Sequence, residues 1–162
     1  MDRLLPLAES IAARLIERHE TVAVAEGSAG GLISAALLSV PGASAYFLGG
    51  GVIYTASARS GLLDIGKADM SSIRPASEPY ASLLAQRMRE RLDATWAVAE
   101  AGAAGPSGNR YGDPAGHCCL AIAGPVQLSI TLRTGSADRR ANMEAFAKRA
   151  LELLAEALDG AR

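Results

Sequence analysis

The chain has 162 residues, 49% of them hydrophobic and 20% charged, with a formal net charge of -1. That length and balance fit one globular domain with a sizeable core and exclude a disordered chain. They also exclude a general nucleic-acid binder, which needs a basic face to neutralise phosphates.

No apolar run approaches the ~18 to 20 residues that span a bilayer; the longest, near Leu32 to Val40, is broken by serines and stopped by Pro41-Gly42. The N-terminus carries Asp2 and Arg3 without an apolar h-region, so it does not read as a secretory signal, and a cytoplasmic location is expected. Leu4, Leu7, Ala8, Ile11, Ala12, Leu15 and Ile16 then recur at helical spacing, predicting a helix that ends near His19.

Thr21 to Ala25 is a short β-prone run, followed by the polar Glu26-Gly27-Ser28 and a second helix from Gly30 to Ser39. Tyr46 to Tyr54 reads as a strand passing through Gly49-Gly50-Gly51, where glycines mark close backbone approach. A short helix is expected over Ser57 to Leu63, and a loop or irregular helix from Asp64 to Ala76.

Ser77-Glu78-Pro79 has the composition of a helix start, with Tyr80, Leu84, Met88 and Leu92 marking one face behind it. Thr95 to Ala99 is a further strand, and Gly102 to Asp113 a loop rich in glycine and alanine. Gly116 to Ala123 and Val126 to Arg133 read as a hairpin turning at Gly124-Pro125. A last helix starts around Ser136 and shows Met143, Phe146, Ala147, Ala150, Leu151, Leu154 and Leu158 on one face. This order predicts an α/β fold, a single three-layer α/β/α sandwich over residues 1–162, with a sheet made mixed by the late hairpin.

Chemistry concentrates in three loops rich in glycine and small polar residues: Glu26 to Gly31, Gly49 to Arg59, and Gly102 to Asp113. In open α/β sheets ligands sit at strand ends, so these loops are expected to converge on one pocket. The first presents backbone N–H groups at a helix start, suited to an anion such as phosphate; the alternative is that Gly30 and Gly31 only permit tight packing. Glu26 is either a general base or hydroxyl acceptor, or a carboxylate stabilised by the helix dipole.

Ser28 lies among glycines but lacks the first glycine of G-x-S-x-G. The two histidines are poor bases for it: His19 closes a helix, and His117 starts a strand with no carboxylate evident nearby in sequence. Neighbouring Cys118 and Cys119 point to opposite faces of a strand and read as small buried hydrophobes. No spacing resembles a metal-ligand set, and no cofactor is expected.

At these loops the chain resembles the CinA C-terminal domain family, whose characterised members are nicotinamide mononucleotide amidohydrolases. The family's A-E-S-x-T-G-G is represented by Ala25-Glu26-Gly27-Ser28-Ala29-Gly30-Gly31, and its G-G-x-x-x-Y-[ST]-N-x-x-K by the stretch from Gly49 to Arg59. Gly102 to Gly108 resembles T-G-x-A-G-P-x-G, Pro114-Ala115-Gly116 the trailing P-x-G, and Asp138-Arg139 the G-D-R before the last helix. The resemblance runs from Leu4 to the last helix.

In that family the motif serine is the nucleophile and the motif lysine its base; here those positions are Gly27 and Arg59. The motif asparagine is Ala56, and two motif threonines are Ala29 and Ala101. The resemblance therefore implies a catalytically degenerate relative whose remaining frame (Glu26, Gly27, Ser28, Gly30, Gly31, Tyr54, Arg59, Gly102, Gly105, Pro106 and Arg139) binds a nucleotide or another phosphorylated small molecule. Two alternatives stand beside it. One is a working amidohydrolase, using Ser28 after a shift of the turn or an altered mechanism, that converts nicotinamide mononucleotide to nicotinate mononucleotide and ammonia or acts on another amide; the other is a non-enzymatic interaction module. The family's isolated domains associate, so a homo-oligomer is expected, with no direct nucleic-acid or membrane contact.

Overall fold

The computed structural model describes residues 1–161. In chain order it contains α1 (Leu5–Arg18), β1 (Val22–Glu26), α2 (Leu32–Leu38), a 3-10 turn at Ala43–Ala45, β2 (Phe47–Val52), α3 (Ala56–Leu63), α4 (Glu78–Leu92), β3 (Trp96–Ala103), β4 (His117–Ala123), β5 (Leu128–Arg133) and α5 (Arg139–Gly160). The five strands form one sheet in the order β2-β1-β3-β4-β5. β2, β1 and β3 run parallel; β3, β4 and β5 alternate in direction. The mixed sheet expected from the hairpin is the one observed.

The composition of each strand fixes its place. The three central strands β1, β3 and β4 are buried along almost their whole length, whereas the edges β2 and β5 alternate between half-buried and exposed. One sheet face carries bulky side chains, among them Val22, Val24, Trp96, Val98, Leu120 and Ile122, under α1, α2 and α5. The other carries Ala23, Ala25, Ala97, Ala99, Ala101, Ala121 and Ala123 under α4. Alanine there lets the helix lie close, and Tyr80, Leu84 and Met88 of α4 fill the volume that the strands leave. Cys118 belongs to the first face and Cys119 to the second, both buried and free.

Several boundaries differ from the sequence reading, three of them for a reason the structure shows. α2 begins at Leu32 rather than Gly30, because Gly30 and Gly31 adopt left-handed φ of +68° and +100°. β3 continues to Ala103, four residues beyond Ala99, because its last residues pair with the start of β4, as in Ala103 opposite His117. α5 begins at Arg139, where Asp138 Oδ1 accepts from the amides of Arg140 and Ala141. Ser77 caps α4 as expected, accepting from Tyr80 N. Among the described residues no helix is long and apolar enough to cross a membrane.

α4 lies directly on the alanine face. Ala99→Leu is therefore expected to cost on the order of 3 kcal/mol through overpacking, read as a lower urea midpoint at unchanged slope; an unaltered midpoint would show that α4 is not closely seated.

Candidate functional site

β1 and β3 end side by side, with Glu26 opposite Glu100 in the parallel register. Both are wholly buried, and their strands turn these positions toward the α2 and α5 side. Neither carboxylate forms an ion pair with a described residue. Backbone and hydroxyl donors of the following turn satisfy both instead. Glu26 accepts from Ile33 N and Ser34 N, each at 3.0 Å, and from Ser34 Oγ at 2.6 Å. Glu100 Oε2 accepts from Gly27 N at 2.9 Å and Ala29 N at 2.8 Å; its Oε1 accepts from Ser28 Oγ at 2.5 Å and Cys118 Sγ at 3.4 Å.

This arrangement bears on two expectations. Glu26 is the cap of α2, its oxygens on the helix's first amides, and it does not line the cavity described below. Most of the turn's amides are already engaged. Those of Gly27, Ala29, Ile33 and Ser34 point at the two carboxylates, and those of Gly30, Leu32 and Ala35 at backbone carbonyls. Gly30 and Gly31 serve the left-handed bend; a Cβ on Gly30 would also approach Met143 Cε to 2.9 Å.

Burial raises the Glu100 carboxyl above its ordinary 4.5, against the opposing pull of its hydrogen-bond donors. Burial, and then the charge of Glu100, likewise raises the Cys118 thiol. Ser28 itself is 5% exposed. Its hydroxyl is fixed on Glu100, so it holds the turn.

A cavity of about 790 Å³ opens at the C-terminal ends of β1 and β3. The structure brings Gly27, Ser28, Tyr54, Arg59, Gly102, Gly105 and Arg139 together around it. Glu26, Gly30, Gly31 and Pro106 lie outside its lining, Pro106 following a cis peptide bond from Gly105. Arg139, the first residue of α5, donates to Gly105 O at 2.7 Å and to Tyr54 Oη at 3.3 Å. Asn142, one turn later and buried, donates to Ala104 O and Ser136 O at 2.8 Å each and accepts from Thr134 Oγ1. The start of α5 thus fixes the Ala104-Gly105 wall.

Arg59 enters from α3, its guanidinium carbon 5.8 Å from the centre of the Tyr80 ring. Its Nε–H is buried without an acceptor. Burial raises the Tyr80 hydroxyl pKa, with Arg59 opposing. A third arginine, Arg110, completes a lining that includes no aspartate or glutamate.

Several contributors lack a local sequence signal. Tyr80, Met70, Ile73 and Ala76 reach the cavity from the stretch before and at the start of α4. Arg74 pairs with Asp113 at 2.6 Å, clasping this stretch to the loop after β3. His117 does have a carboxylate four residues away, Asp113 Oδ1 at 3.6 Å, but its Nε2 sits 2.8 Å from Ala76 O and the ring is buried outside the lining. Glu100 was legible in principle, as a lone acid inside the apolar run from Trp96 to Ala103. Among the described residues no three His, Cys, Asp or Glu side chains come together as a metal-ligand set.

The profile of the CinA C-terminal domain matches residues 4–158. The chain belongs to that family. Relatives include a CinA-like protein of Desulforapulum autotrophicum, 36% identical over 152 residues, and one of Chlorobium limicola, 37% identical over 150. These alignments cover 93% and 90% of this chain but 36% and 35% of the relatives, so the chain spans about a third of their length. The competence/damage inducible protein CihA of Agrobacterium tumefaciens superposes with a TM-score of 0.89 at 31% identity, covering 97% of this chain and 96% of that one. A CinA superfamily protein from Klebsiella pneumoniae gives 0.90 at 25% identity, covering 97% and 98%.

Glu100 generates a prediction with a sign. Its folded-state pKa is raised, so the folded chain holds the proton more tightly than the unfolded one. Its contribution is full below the unfolded value of 4.5 and declines as pH rises through the folded-state pKa. Glu100→Gln should abolish that decline in urea unfolding followed upward in pH from the unfolded value of 4.5. Glu100→Ala, which strands two amides and a hydroxyl in the interior, should cost about 3 kcal/mol or more. A wild-type-minus-Gln difference independent of pH would contradict the assignment.

Proposed function

We propose that this domain is a catalytically degenerate CinA C-terminal domain, one that binds a nucleotide or another phosphorylated small molecule and does not hydrolyse it. The observation that carries this reading is the cavity lining: three arginines, no carboxylate, and Gly27 and Arg59 where the resemblance puts a serine and a lysine. Gly27 brings no hydroxyl. A guanidinium is a far poorer proton acceptor than the amine of a lysine, so an arginine does not replace a lysine as general base. Ser28 is no ready substitute, since its hydroxyl donates to a buried carboxylate that also binds the amides on either side. The same frame that disfavours acyl transfer favours anions. Arg139 is held by Gly105 O and Tyr54 Oη, a preorganised cation on the cavity wall.

The test has two readouts on one preparation. Incubation with nicotinamide mononucleotide should release no ammonia above the blank, while the same nucleotide raises the melting temperature. A ligand at about 100 times its dissociation constant adds ~2.7 kcal/mol of stability. Turnover that disappears in Ser28→Ala would overturn the reading in favour of an active amidohydrolase. Absence of both turnover and any thermal shift across nucleotides would favour an interaction module.

Restoring the pair is a stricter check. A Cβ on Gly27 would lie 3.3 Å from Glu100 O and 3.5 Å from Ile53 O, so a serine fits with a small adjustment, and Gly27 does not have a left-handed φ. The double variant Gly27→Ser, Arg59→Lys is expected to gain measurable ammonia release over wild type.

A further inference from the structure

We propose that the loop between β3 and β4 is a strap over the cavity, fixed at its α5 end and released at its other end when the Arg74–Asp113 pair breaks. Residues of this loop between Ala104 and Tyr111 line the cavity, and Met70, Ile73, Pro75 and Ala76 of the stretch before α4 line it as well. The loop joins two walls of the cavity, and its two attachments differ in kind.

At the α5 end the anchor is interior. Asn142, 1% exposed, donates to Ala104 O at 2.8 Å, and Arg139 donates to Gly105 O at 2.7 Å. Pro106, Ser107 and Gly108 follow, all exposed and without a hydrogen bond to any described residue. The tip beyond them, Asn109 to Asp113, is closed on itself. Asn109 Oδ1 accepts from the amides of Tyr111 and Asp113, and its Nδ2 donates to Asp113 Oδ2 at 2.8 Å. Gly108 lets the chain enter this turn, since a Cβ there would collide with Asp113 O.

At the far end a single arginine makes the attachment. Arg74 Nη1 donates to Asp113 Oδ2 at 2.6 Å and its Nη2 to Oδ1 at 3.4 Å. Its guanidinium carbon lies 5.8 Å from the centre of the Tyr111 ring. The stretch that carries Arg74 is fixed in turn, because Arg87 on α4 donates to Asp69 Oδ1, Leu63 O and Asp64 O. The Arg74 side chain is 43% exposed, so water and salt screen the pair. His117 adds little: its Nε2 is 2.8 Å from Ala76 O, which can only accept, and 3.6 Å from Asp113 Oδ1. The tip therefore leaves at the Arg74 end, pivots on residues 106–108, and carries Arg110 and Tyr111 away from the cavity. Ligand exchange passes through the gap this opens.

Native-state trypsin proteolysis of the free chain tests the strap without a ligand, so its outcome is independent of the binding reading above. Arg110-Tyr111 is a cleavage site on the tip, whereas Arg74 precedes Pro75 and is not cut, so replacing Arg74 alters no site. The rate of cutting after Arg110, divided by that of a free peptide of residues 104–116, reports how often the tip is released. Arg74→Gln is expected to raise this ratio about fivefold, the upper range for a partly exposed ion pair. Raising sodium chloride from about 0.05 M to about 0.5 M should raise it in wild type and leave the variant unchanged. Arg139→Gln should raise it less than Arg74→Gln does, because Asn142 still holds the root of the loop. If Arg74→Gln loosens the whole fold, seen as faster cutting within α4 too, Arg74→Lys replaces it and should give a smaller rise confined to Arg110. An unchanged ratio in the Arg74 variant, a wild-type ratio indifferent to salt, or a larger rise in Arg139→Gln overturns the proposal.

Discussion

Glu26 and Glu100 stand opposite each other at the ends of adjacent parallel strands, wholly buried and without a cationic partner among the described residues. Burying carboxylates is costly unless donors surround them. The chain supplies those donors from the eight residues that follow β1, wrapping amides and hydroxyls of Gly27, Ser28, Ala29, Ile33 and Ser34 onto the two side chains. That requirement sets the bend at Gly30 and Gly31, the entry of α2, and the position of the Gly27-Ser28 cavity wall.

The same requirement decides which way most of the turn's donors point. A glycine-rich turn before a helix normally presents free N–H groups, and here the amides of Gly27, Ala29, Ile33 and Ser34 face the two carboxylates. The cationic side chains at the cavity are carried by other elements: Arg59 on α3, Arg110 on the loop after β3, and Arg139 at the start of α5. Arg139 and Asn142 tie α5 to that loop, and the Arg74–Asp113 pair ties it to the stretch before α4. The cavity is thus framed from both faces of the sheet by contacts made far from the turn.

Much of this was legible in the sequence where the signal was local. Helical spacing, the Ser77-Glu78-Pro79 start, and the hairpin at Gly124-Pro125 gave the layers, and the glycine loops marked the strand ends where the cavity lies. What was not legible depends on register. Glu26 read equally well as a base and as a dipole-stabilised carboxylate, because its choice depends on Ser34 and on the depth at which β1 ends. Glu100 shows no function until β1 and β3 are aligned, since its partners Gly27 and Ala29 lie more than seventy residues earlier. The extension of β3 to Ala103 and the pairing of His117 with Asp113 emerge from the β3–β4 pairing and the loop before it.

On the proposed reading, arginine side chains, and not the amides of the glycine turn, hold an anionic ligand in this cavity. A crystal structure of the chain with bound nicotinamide mononucleotide distinguishes the two. The phosphate is expected within hydrogen-bond distance of the Arg139 or Arg110 guanidinium, with Glu26 and Glu100 still holding the turn. A phosphate seated on the backbone nitrogens between Gly27 and Ser34, with the two carboxylates displaced from them, would contradict it.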